Sequence, residues 1–296
     1  MKATLFALFV ALLMVGCGES ELDEIIEGAV YFDKLKKQNE WGEERFYAPN
    51  EQSPFTGWSK AIHKNGQVQS LAQFKDGKQN GLMTRWHENG RKRSEMNFKD
   101  GKQDGFMTGW YENGQKHNEG EWKNGKPEGF GTSWHENGLK STEMNFKDGK
   151  LDGLQAVWSE TGQKTDETNY KDGKLDGSMT RWRENGQKAE EGNYKDGILD
   201  GIYNKWYDNG QKKFRQQAEQ GKLVMILGWY PNGSKQNGFR SGDSSRQASV
   251  LSWKPNGEKC DRTRLDKNGN GLMVIHDMNG ASPALIEVKN GELVFD

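Results

Sequence analysis

The chain of 296 residues is poor in the material of a conventional globular core. Only 32% of it is hydrophobic, against roughly 45–50% on a slightly broader count for ordinary domains, and its mean hydropathy is −1.03. A large, many-layered core is therefore excluded. Two cysteines exclude a disulfide framework. A net charge of −1 lacks the clustered basic excess that nucleic-acid binding requires. There are six prolines against 38 glycines, with no collagen triplet. Aromatics are plentiful at 11%, with 11 tryptophans. Disordered chains are poor in aromatics, so the chain is predicted to be ordered.

Residues 1–17 read MKATLFALFVALLMVGC. A basic Lys2 precedes an apolar run from Ala3 to Val15. That run is too short for a membrane span of roughly 20 residues and fits the apolar region of a secretory signal. The ending Met14-Val15-Gly16-Cys17 resembles the lipobox of bacterial lipoproteins, although Met stands where that family usually has Leu. An ordinary signal peptide beside a cysteine is the alternative. The resemblance implies a signal peptide over 1–16, cleavage before Cys17, and lipid on Cys17. It also implies a bacterial cell-envelope location, the outer membrane rather than the inner, because Gly18 and not Asp follows the cysteine. Several acyl chains anchor stably where one is marginal. Cys260 is then unpaired. Residues 17–40 form a polar connector. Leu22, Ile25, Ile26 and Ala29 have helical spacing, whereas Val30-Tyr31-Phe32 suits a strand, and both readings stay open.

A 24-residue period organises the rest. Gly57, Gly81, Gly105, Gly129, Gly153, Gly177 and Gly201 open successive units. A one-residue deletion shifts the frame near Val224, and weaker units follow. Numbering from the leading glycine as zero, position 5 holds Trp86, Trp110, Trp134, Trp158, Trp182 and Trp206, then Trp229 and Trp253. Positions 8 and 9 are Asn-Gly in nine of ten units, and positions 19 and 20 are mostly Asp-Gly. Position 17 is aromatic at Phe74, Phe98, Trp122, Phe146, Tyr170 and Tyr194. Such turn pairs let glycine adopt φ > 0 without a Cβ clash. The segments between them have strand length and are too short for stable helices.

The predicted fold class is all-β: an elongated, twisted single antiparallel sheet of tandem 24-residue β-hairpins. Three-residue loops such as Glu88-Asn89-Gly90 oppose position 5 to position 11, predicting type I turns with a glycine bulge. In that register the odd positions share one face, with Trp and the position-17 aromatic side by side. Two strands at about 4.8 Å give roughly 10 Å per repeat, so ten units extend about 100 Å. The array is assigned to 41–224. Residues 225–296, with the apolar clusters Leu272–Ile275, Ala284–Ile286 and Leu293–Phe295, are read as degenerate repeats that continue the same sheet as a C-terminal cap.

Segment 120–138, GEWKNGKPEGFGTSWHENG, resembles a MORN repeat. Its W-x-E-N-G-x-K spacing is closer to the bacterial MORN-repeat variant, a family often labelled as the antitoxin component of a toxin–antitoxin system. The resemblance implies antiparallel sheets used for membrane attachment, dimerisation and partner binding, and no catalytic residues.

No enzyme chemistry is legible: no Ser-His-Asp set, phosphate loop or Cys-His pair stands out, and no cofactor is implied. His63, His87 and His135 at position 6 recur at about 10 Å, too far apart to share a zinc ion, and are read as solvated. Acids at position 7, such as Glu88, are expected to pair across the hairpin with lysines at position 11, such as Lys92. Asp266, Asn268, Asn270 and Asp277 match the start and twelfth position of a calcium loop, although Asn-Gly turns recur here anyway. The resulting expectation is a lipid-anchored envelope scaffold that binds a protein or glycan through its sheet face, with Trp86 to Trp206 as candidate contacts. The alternative is a toxin-neutralising, immunity-type binder.

Overall fold

The computed structural model describes residues 19–40, 43–242, 247–276 and 284–294. Nineteen strands belong to one almost entirely antiparallel sheet, beside a two-stranded hairpin and a four-stranded sheet. The chain divides into two compact units, 1–150 and 151–296, built from the same hairpin.

The two kinds of turn carry out different tasks. At the Asn-Gly end, Trp86 lies opposite Lys92. The His87 amide donates to the Arg91 carbonyl at 2.9 Å, and the Gly90 amide to the His87 carbonyl at 3.0 Å. This is the expected three-residue loop, with Gly90 at φ 79°. At the Asp-Gly end, Lys99 lies opposite Lys102. Asp100 and Gly101 both have positive φ, 51° and 81°, so a two-residue type I′ turn closes the hairpin.

The expected sharing of one face by Trp and the position-17 aromatic does not hold. Arg85 lies opposite Ser94 while Trp86 lies opposite Lys92, so position 12 is an extra, bulged residue. That bulge reverses side-chain parity along the returning strand. Phe98 consequently lies opposite Gly81, on the side of Met83 and Arg85. Leu82, Thr84 and Trp86 point the other way, since side chains alternate along a strand. A second shift follows the Asp-Gly turn: Phe98 opposes Gln103 while Met96 opposes Met107. The leading glycine lies in this wider bulge, with Gly105 at φ 116°. One face thus carries positions 2, 13, 15 and 17, and the other carries position 3, the Trp, and positions 11 and 14.

Neighbouring repeats are stapled at both rows of turns. The Asn89 side chain accepts from the Arg91 amide at 3.0 Å and donates to the next loop's Glu112 carbonyl at 3.0 Å. Asn65 and Asn113 do the same. At the opposite row, the Gly101 amide donates to the Gln79 carbonyl at 2.8 Å. The Asp104 carboxylate accepts from the Asn124 amide at 3.0 Å. These bonds satisfy loop groups that a lone hairpin would leave to water.

In the N-terminal unit, the alternatives over the connector are both realised in sequence: a helix over Glu19–Gly28 and then a strand over Val30–Tyr31. That strand pairs in parallel with Gly57–Ile62. Leu35, Phe55, Ala72 and Phe74 form a small core, with Val30, Phe46 and Met83 against it. The N-terminal segment therefore covers the position-17 face of the first repeat.

In the C-terminal unit, strands Lys222–Trp229, Lys235–Arg240 and Ser249–Ser252 extend the repeat ladder. The expectation of one continuous sheet fails beyond them. Residues 264–294 contribute Arg264–Leu265, Gly271–Ile275, Ala284–Lys289 and Glu292–Val294 to a separate four-stranded sheet. The turn after Cys260, with the Thr263 amide donating to the Cys260 carbonyl at 3.4 Å, ends the ladder. Met273 and Val288 then close over Phe239 and Val250, with Leu223 and Ile226 beside them. Folding back buries apolar surface that an in-plane continuation would leave wet.

Candidate functional site

On the tryptophan face, the Trp rings are half-buried between lysine stems. Lys116 Nζ lies 5.6 Å from the Trp134 ring centroid, and Lys164 Nζ lies 5.5 Å from that of Trp158. Five of the position-11 lysines pair with position 14 of their own strand: Lys92–Glu95 at 2.6 Å, Lys116–Glu119 at 2.7 Å, Lys164–Glu167 at 2.6 Å and Lys188–Glu191 at 2.7 Å, with Lys140–Glu143 alike. The bulge at position 12 brings positions 11 and 14 to one face, which is why the lysines reach position 14 rather than the expected loop acids in these five pairs. Position 1 of this face is the most exposed apolar site, with Phe106, Phe130 and Leu154 open to solvent.

The position-6 histidines are not solvated. His63 and His87 side chains are only 10% and 14% exposed. Their Nε2 atoms lie 3.0 and 2.9 Å from the Trp86 and Trp110 carbonyls of the next repeat. Tyr111 and Tyr207 hydroxyls donate to the Trp134 and Trp229 carbonyls at 2.8 and 2.9 Å, and Arg183 Nη2 to Trp206 at 2.7 Å. Position 6 in these repeats thus carries a long polar donor, His, Tyr or Arg, whereas Ser159 at the same position bonds Thr161 within its own loop. The sequence signal was the chemical equivalence of His, Tyr and Arg at one repeat position.

The opposite face of the C-terminal unit holds an open cleft of about 620 Å³. Cross-strand pairing sets a row of alternating charge across four strands: Asp166 opposes Arg181, Arg181 opposes Glu190, and Glu190 opposes Lys205. Arg181 Nε lies 3.0 Å from Asp166 and its Nη1 3.4 Å from Glu190, while Lys205 Nζ lies 2.5 Å from Glu190. The hydrogen bond from Lys205 is the main reason the Glu190 carboxyl is held below the usual carboxylate range, against its partial burial. Beside this row stand Tyr170, Tyr194 and Tyr203, with Leu175, Met179 and Leu199 between them. Burial first, and the Glu190 charge second, push the Tyr203 hydroxyl well above its ordinary range. Gly192 makes the arrangement fit: a Cβ there would meet Tyr203 at 2.9 Å and Tyr194 at 3.1 Å. The equivalent face of the N-terminal unit is more apolar, and Met107, Trp122, Met144 and Phe146 line a cleft of about 280 Å³.

Asp266 Oδ1 accepts from the Asn268 and Asn270 amides at 2.8 and 2.9 Å, and Asn270 Oδ1 from the Asn290 amide at 2.8 Å. Those bonds, the Asn270 amide foremost, lower the Asp266 carboxyl. The candidate calcium oxygens thus serve turn geometry, and Asp277 lies outside the described residues. So do Cys17 and the signal segment 1–16. Among the described residues, no group of three or more His, Cys, Asp or Glu is arranged for a metal. Two buried groups that the sequence did not bring together are Cys260 and His276, whose ring nitrogens have no hydrogen-bond partner among the described residues. Both are more than nine-tenths buried. Burial raises the thiol, but His276 and the Arg262 amide outweigh it and bring it down to about 7.

The repeat geometry agrees with the family comparison. The model of the MORN repeat variant matches residues 79–100 and 175–196, each spanning an Asn-Gly hairpin loop. No curated protein matches the chain. Crystal structures of TcdB2-TccC3-TEV and TcdB2-TccC3-Cdc42 align over 88% of this chain at 8% identity, with TM-scores of 0.17 and 0.18. The chain spans 16% and 19% of the length of those chains.

Proposed function

We propose that the chain is a lipid-anchored cell-envelope scaffold, held through Cys17 and binding a protein or glycan partner through its repeat sheet. The observation that carries the binding reading is the cleft beside the Asp166–Arg181–Glu190–Lys205 row. There the position-17 face combines half-buried tyrosines with ordered charge and lies open, as a recognition surface requires. The anchor reading rests on the lipobox-like sequence and supplies the compartment, the outer membrane in preference to the inner. No nucleic-acid partner and no catalytic role are proposed. Fatty-acid labelling in cells tests the anchor: the label should be lost with Cys17→Ala, and label persisting on that variant refutes it. In-cell crosslinking, with identification of the bound species, tests the scaffold role. A specific adduct is expected, and a chain that yields none at native abundance is not a scaffold.

A further inference from the structure

We propose that the tyrosine cleft of the C-terminal unit takes an extended β-(1→4)-linked glycan lying across the strands; this rests on the scaffold reading above. Three features select that chemistry.

The first is spacing. Tyr170 and Tyr194 occupy the same position in successive repeats, with a single strand, Lys174–Trp182, between theirs. Two inter-strand steps separate them by about 10 Å, comparable to one disaccharide of an extended β-(1→4) chain. Every second sugar ring then meets an equivalent aromatic. A protein strand laid across the sheet has no such period, because its side chains repeat at about 7 Å.

The second is charge. The row Asp166, Arg181, Glu190 and Lys205 is internally neutralised, with each charged group bonded to its neighbour. It offers donors and acceptors in fixed positions but no net charge for an ionic partner. Thr168, Gln155 and Gln216 add further uncharged polar groups to the lining. Polyhydroxylated rings present that mixture of apolar faces and hydroxyl edges, and they suit aromatic surfaces flanked by paired polar groups.

The third is the space above Gly192. Its missing Cβ lets the Tyr203 and Tyr194 rings close over the backbone, so the two aromatics form one platform. Position 15 in the other repeats from Gly57 to Gly201 holds Ala72, Met96, Met144, Thr168 or Gln216 as well as Gly120. Only here does glycine stand beneath two tyrosines.

The test is calorimetric titration of the full chain with a hexamer of β-(1→4)-linked N-acetylglucosamine, its dimer, and an α-(1→4)-linked glucose hexamer. The hexamer should bind at least about tenfold more tightly than the dimer, because it reaches two platforms. The curved α-linked hexamer should bind at least about tenfold more weakly than the β-linked one. Tyr194→Ala should lower affinity about tenfold or more, and Tyr194→Phe, which keeps the ring, should retain it. Gly192→Ala, which leaves the charged row in place, should weaken binding with an unchanged circular dichroism spectrum. Equal binding of the two hexamers, or binding indifferent to Tyr194→Ala, overturns the proposal. No saccharide binding, with a protein crosslinked in cells through this face, overturns the glycan and leaves the scaffold standing.

Discussion

Replacing Trp134 with alanine measures what the tryptophan ladder contributes. A fully buried aromatic covers about 150–250 Å². The Trp134 ring is half-buried, with Lys116 Nζ 5.6 Å from its centroid on one side and Lys140 opposite in register. Losing on the order of 100 Å² of apolar contact at about 25 cal/mol per Å² costs about 2.5 kcal/mol. The lysine–ring attraction adds about 0.5 kcal/mol, and the retained alanine methyl offsets a similar amount. No sealed cavity forms, because solvent fills the space, so the cost should fall short of the 3–5 kcal/mol typical of a buried ring. Urea unfolding of the full chain and the variant, followed by circular dichroism, gives the difference, and a changed slope would report cooperativity lost along the array. A cost below about 0.5 kcal/mol would mean that the ring contributes no packing. A cost above about 5 kcal/mol would mean that it is enclosed. Either result refutes the half-buried, lysine-sandwiched ladder.

Other expectations follow from the same geometry. Lys164→Ala should cost about 1 kcal/mol, more than a free surface lysine, because it breaks both the Glu167 pair and the contact with Trp158; a cost within measurement error would contradict this. Tyr111→Phe, which removes the donor to the Trp134 carbonyl, should cost about 1–2 kcal/mol in the same denaturation assay, and no loss would deny the staple. Glu190 is depressed by Lys205 in the folded state, so its contribution is complete above its unfolded value and vanishes as pH falls through the lower folded value. The thermal midpoint between about pH 6 and pH 2 should therefore fall less steeply in Glu190→Gln than in the parent chain, and parallel curves would refute this. Cys260 is buried, so iodoacetamide should alkylate it about a hundredfold more slowly in the folded chain than in denaturant, and equal rates would mean that the C-terminal sheet is open.

The hairpins and their turn types were legible because the residues at the loops have steep conformational preferences. Asn89-Gly90 and Asp100-Gly101 each permit few backbone geometries, and the structure adopts the expected one at the first. The pairing of faces was not legible because it depends on bulges. One extra residue at position 12 reverses parity, and nothing at Arg93 or His117 announces it. The leading glycine did carry a signal: a glycine recurring inside a strand often marks a bulge, and Gly105 occupies one. The cleft was hidden for a related reason. Asp166, Arg181, Glu190 and Lys205 look like scattered surface charges until the register places them opposite one another. Of the C-terminal apolar clusters, Met273 and Val274 are buried while Leu272 and Leu285 stay exposed, and the covering of the buried ones by a folded-back sheet depends on where the ladder stops, at the turn after Cys260.

The central claim is that recognition occurs on the position-17 face and not on the tryptophan face. A photo-crosslinking amino acid placed at Tyr194, and in a second variant at Leu154, samples the two faces of the same unit in living cells. Leu154 is 46% exposed, so access does not limit it. The account predicts a specific, light-dependent adduct from position 194 and none from position 154. An adduct from position 154 alone would contradict it and transfer the binding role to the tryptophan side.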